Sequence, residues 1–76
     1  MKYKALEIVV LNIDMDSHGL KSGDTGTIVE IYEPGGLEVE FMTGTGDTKA
    51  VLTLRDSDVR HLQSNDILAV RSVDAA

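Results

Sequence analysis

The segment Leu37-Glu38-Val39-Glu40-Phe41 alternates apolar and acidic residues without a break. A strand sends successive side chains to opposite faces, so this pattern directs Leu37, Val39 and Phe41 to a core and leaves Glu38 and Glu40 in water. Wound as a helix, the same residues would scatter their apolar positions around the axis. No window of about 11 residues elsewhere carries an amphipathic helical stripe of similar quality. Val and Ile supply 13 residues and Thr another 6, all β-branched and suited to a pleated surface. The chain is therefore expected to be all-β.

Strands are predicted at Glu7–Ile13, Thr25–Tyr32, Leu37–Met42 and Thr48–Leu54, with a weaker one at Ile67–Val73 and a short piece at Val59–Leu62. The connections have local causes. Glu33-Pro34-Gly35-Gly36 places Pro and then Gly where a type II turn needs them. Thr43-Gly44-Thr45-Gly46-Asp47 reads as a longer hairpin loop. Asp56-Ser57-Asp58 reads as one helical turn, its acceptors placed to satisfy free backbone N–H groups. Asp14 to Asp24 is a polar loop packed at Leu20 and Met15. Short strands, tight turns and one helical turn before the last strands predict an SH3-like barrel of about five antiparallel strands. The expected core is Val9, Leu11, Val29, Ile31, Leu37, Val39, Phe41, Leu52, Leu54, Val59 and Leu62. With 76 residues the chain has room for one domain, its core spanning about 6–73 and Asp74-Ala75-Ala76 a frayed end.

The charge balance narrows function. Lys and Arg number 7 against 13 Asp and Glu, a net charge of -6. Nucleic-acid binding needs cations and stacking rings on one face. Here Lys2, Lys4, Lys21, Lys49, Arg55, Arg60 and Arg71 are scattered, and the aromatics are only Tyr3, Tyr32 and Phe41. A groove for proline-rich peptides would lack its aromatic lining for the same reason. With no cysteine there is no disulfide and no thiolate site. No apolar run approaches the ~18 residues that span a bilayer, and Met1-Lys2-Tyr3-Lys4-Ala5 does not lead into a signal-peptide core, so a cytoplasmic protein is expected.

Two sets of residues are candidates for a site. Asp14, Asp16 and His18 fall at positions 1, 3 and 5 of a calcium-loop pattern with Gly19 at position 6, but position 12 is Thr25, which cannot supply a bidentate carboxylate. They are the candidate metal ligands, against a plain reading as a solvated loop whose aspartates bind nearby amides. The second set is Glu30, Glu33, Glu38 and Glu40 on the central hairpin, an acidic face that would steer a basic protein partner. The serines and threonines have no strand–elbow–helix setting to activate them, and a barrel this small fills its interior with its own side chains, so no enzyme and no cofactor are expected.

Glu7-Ile8-Val9-Val10-Leu11, then His18 through Tyr32, Leu37 to Phe41, Ala50 to Leu54 and Val59 to Leu62, together resemble a bacterial family, domain-of-unknown-function family 4926. The resemblance spans about Leu6 to Val73. It implies a small SH3-like barrel with no catalytic residues to carry over, in a family whose members are sometimes read as small partner or antidote proteins encoded beside another short gene. Gly23-Asp24-Thr25-Gly26-Thr27-Ile28-Val29 also resembles the glycine-plus-strand element of KOW modules, which implies a nucleic-acid alternative. The leading expectation is a non-catalytic protein-interaction module, a regulatory or neutralising partner of another protein. It is expected to make no membrane contact and to exist as a monomer or a homodimer through Ile67–Val73.

Overall fold

The computed structural model describes residues 2–73. Five strands form one antiparallel sheet: β1 (Ile8–Leu11), β2 (Thr25–Tyr32), β3 (Gly36–Met42), β4 (Thr48–Arg55) and β5 (Val59–His61). Their order across the sheet is β4-β3-β2-β1-β5, so the last strand returns to pair with the first. The only helical elements among the described residues are one-turn 3-10 helices at Asp16–His18 and Asp56–Asp58. The second turns β4 into β5, where the Arg55 N–H donates to Asp58 Oδ2 at 3.0 Å. The frayed end expected at Asp74–Ala76 lies outside the described residues.

The alternating strand behaves as its pattern dictates. Leu37, Val39 and Phe41 are buried and meet Val9, Leu11, Leu20, Ile28, Leu54, Val59 and Tyr3 in one core. Leu20 reaches it from the first loop, pinned by the Met15 N–H donating to the Leu20 carbonyl at 2.9 Å. Tyr3 seals the open end beside β5. Its hydroxyl donates to the Val59 carbonyl at 3.3 Å and its ring lies 4.3 Å from that of His61. Burial, and then the charges of Asp56 and Glu7, raise the Tyr3 pKa above its ordinary value.

Three expectations change. Val29 is 39% exposed and Ile28 is fully buried in its place. The register runs Ile28 opposite Val39 and then Glu30 opposite Glu38, leaving Val29 as an unpaired extra residue. Such a bulge reverses the in–out phase of a strand, so Ile28 and Ile31 both turn inward. Ile31 and Leu52 pack on the rim of the core, and Leu62 is half-buried outside it. The last strand is the short piece Val59–His61, since Ile67–Val73 forms no strand. Finally, the Glu33–Pro34 peptide is cis, while Gly35 takes the positive φ (86°) expected of the turn.

Candidate interaction surface

The outer face of β2, β3 and β4 carries the acidic residues. Strand register sets Glu30 directly across from Glu38, with Glu40 two residues further along β3. On the other side Glu38 faces Thr53 and Glu40 faces Val51. The carboxylates are held by hydroxyls rather than cations: Thr53 donates to Glu38 at 3.2 Å and Thr48 to Glu40 at 2.6 Å. Glu30 accepts the Ile31 N–H at 3.2 Å. Among the described residues no ion pair involves Glu30, Glu38 or Glu40. Exposed Tyr32 and Val51 stand beside them. Desolvation, with the charges of Glu38 and Glu30, raises the Tyr32 pKa. Glu33 lies apart, exposed on the β2–β3 turn. Three of the four predicted acidic residues thus form one strip.

The first loop does not gather its candidate ligands. Asp14 accepts the Ser22 N–H at 2.9 Å, whereas Asp16 pairs with Lys21 at 2.6 Å. His18 ends the 3-10 turn, exposed. Each aspartate has turned to a different local donor, and among the described residues no group of three or more His, Asp or Glu side chains is placed to hold a metal ion. The Asp16 hydrogen bond and charge raise the Lys21 pKa.

Sequence reasoning missed a groove of about 690 Å³ between the sheet and the C-terminal tail, residues 62–73. Val10, Leu20 and Phe41 reach it from the sheet side, while Leu62, Ile67 and Val70 come from the tail. Val10 alternates against Val9 and Leu11, so it points away from the core, yet it is buried. It lines the same groove as the tail. Two arginine–aspartate forks secure that tail. At its root Arg60 donates to both oxygens of Asp66 at 2.9 and 3.1 Å. Near its tip Arg71 donates from Nε to Asp24 Oδ1 at 2.9 Å and from Nη2 to the Gly19 carbonyl at 3.0 Å. The hydrogen bond from Arg71 lowers the Asp24 pKa, and that from Arg60 lowers the Asp66 pKa. Short-range pattern could not have predicted the Arg71–Asp24 fork, whose partners lie 47 residues apart.

The sequence from residue 5 to the end of β5 matches the model of a known family, Domain of unknown function (DUF4926), over residues 5–61. The chain belongs to that family. The DUF4926 match ends with β5, so the tail lies beyond the matched region, while Arg60 and Asp24, the partners that hold its Asp66 and Arg71, lie within it. No curated protein and no solved structure matches the chain. No helix of the described residues is long and apolar enough to cross a membrane.

Proposed function

We propose that this DUF4926 chain is a non-catalytic protein-interaction module that meets a basic protein surface through the strip Glu30, Glu38 and Glu40. One observation carries this reading: Glu30 and Glu38 oppose each other in register, with no cation paired to either among the described residues. Like charges directly across a sheet weaken it, so setting Glu30 against Glu38 does not serve the fold. Facing a basic surface, the same charges accelerate encounter and fix orientation. Tyr32 and Val51 beside them offer the apolar contact area such an encounter needs to persist.

Around that reading stand its finer parts. The sheet order, with one helical turn between β4 and β5, supports an SH3-like barrel. A bacterial, cytoplasmic, regulatory or neutralising partner of a neighbour-encoded protein is the role that fits an acidic surface of this size. The KOW-type alternative is weaker, because Lys21, Arg60 and Arg71 already pair with Asp16, Asp66 and Asp24. The test is crosslinking capture from native lysate with the wild type and with Glu30→Lys/Glu38→Lys, at low and at physiological salt. A partner held by the wild type and released by the double variant is the expected result. No reproducible partner, or one that the double variant retains, overturns the reading.

A further inference from the structure

The tail is an unusual part of this molecule. Ile67, Leu68 and Val70 are 91%, 72% and 99% exposed, three large apolar side chains within four residues. Among the described residues no backbone–backbone hydrogen bond ties residues 67–73 to the sheet. What fastens the segment far from its root is the Arg71 fork to Asp24 and Gly19. The tail therefore lines the groove while leaving its own apolar side chains in water. A contiguous apolar cluster of this kind marks an interaction site.

From this we infer that the groove and the tail form a self-association site, whose occupant is the tail of a second copy of the same chain. Three features single out that occupant. The groove is already shaped around this tail, so exchange between copies repeats each native contact, including the Arg71–Asp24 fork. Residues 62–70 reach about 30 Å when extended, comparable to the 35 × 27 × 21 Å extents of the molecule, so a tail can cross to a neighbour. Among the described residues glutamate is absent from the groove lining, and the charged groups there, Asp24, Asp66, Lys49, Arg60 and Arg71, nearly balance. Two copies can approach there without the repulsion that their net charges of -6 impose elsewhere. Crossing brings the two sets of Ile67, Leu68 and Val70 alongside one another, removing from water the side chains that the closed monomer leaves exposed.

The test uses the charges of the fork. Asp24→Arg alone sets two arginines against each other, and Arg71→Asp alone sets two aspartates. Mixed, the two variants restore both forks only if each tail lies on the other chain. Light scattering after size exclusion, together with native mass spectrometry, is expected to show wild-type dimer growing with concentration, weak self-association of either variant, and heterodimer in the mixture. Ile67→Lys/Val70→Lys, at positions exposed in the monomer, is expected to stay folded by circular dichroism and to weaken the dimer at least tenfold. A wild type that remains monomeric up to about millimolar concentration overturns the inference. So does a dimer that the lysines leave intact, or one whose mixed charge variants show no preference for heterodimer.

Discussion

Gly26 is the position where the packing of this sheet can be tested most sharply. It sits in β2 opposite Val9, buried. A Cβ built there would stand 2.6 Å from Val39 Cγ1, 2.9 Å from Phe41 Cε1 and 3.1 Å from the Glu40 carbonyl oxygen. Carbon atoms in ordinary contact sit about 3.5–4.0 Å apart, so the overlap with the Val39 methyl is roughly 1 Å. Neither neighbour has room to retreat, Val39 being 0% and Phe41 2% exposed, and the third contact is backbone. Overpacking of this kind costs about 1–3 kcal/mol. Replacing Gly by Ala returns about 0.4–1 kcal/mol through the unfolded chain, leaving a net loss of about 1–2 kcal/mol for Gly26→Ala. In a domain this small each kcal/mol moves Tm by about 4–8 °C, so the expected fall is about 5–15 °C by circular dichroism. Gly44→Ala, with no atom within 4 Å of its built Cβ, is the matched control and should melt close to the wild type. Val39→Ala removes the clashing methyls, so the double variant Gly26→Ala/Val39→Ala should lose less than the sum of its parts. A Gly26→Ala protein melting within about 2 °C of wild type, or strict additivity in the pair, would refute the packing argument.

Acid should weaken the tail. Asp24 and Asp66 have pKa values below their ordinary 3.8 because Arg71 and Arg60 hold the charged forms, so their contributions are fully present above about pH 4 and vanish as pH falls through the lowered folded values. Melts from pH 7 to 2.5 should show this loss, and Asp24→Asn should fall less steeply; an unchanged slope would show that the fork is not coupled to folding. On the acidic strip, Glu30→Gln removes one of two opposed charges and is expected to raise stability by a few tenths of a kcal/mol, measured by urea unfolding at low salt. The gain should shrink at about 1 M salt, where charges are screened within ~3 Å.

Most of the sheet can be read from local pattern because its causes are local. β2 is rich in β-branched residues from Thr25 to Ile31, and Leu37, Val39 and Phe41 point inward because alternation leaves them no other choice. The same alternation identifies Glu38 and Glu40 as solvent-facing. The tail is different. Ile67-Leu68-Ala69-Val70 has the composition of a strand, and in this molecule it remains outside the sheet, held by Arg71 to an aspartate at the mouth of β2. The groove that Val10 shares with the tail rests on that long-range contact and has no signature in β1 itself. Nothing in the spacing of Asp14, Asp16 and His18 reveals that Ser22 and Lys21 would engage the two carboxylates first.

The bulge at Val29 ties the fold to the acidic strip. Continued without it, the pairing of Ile28 with Val39 would set Val29 against Glu38 and Glu30 against Leu37, driving a carboxylate into the core. One extra residue moves Glu30 outward to face Glu38 and lets Ile28 and Ile31 both turn in. Deleting Val29 joins Ile28 to Glu30 and produces an ordinary ladder with the same inward and outward sets, so the chain should fold with a loss of about 1 kcal/mol or less. Deleting Ile28 instead joins Thr27 to Val29 and seats Val29 opposite Val39 in the same phase, so the chain should also fold, with about 0.5–1.5 kcal/mol more lost for the smaller inward side chain. Both deletions unfolding alike would mean that the extra residue is needed for more than phase, and the geometric account of how Glu30 reaches the strip would fail.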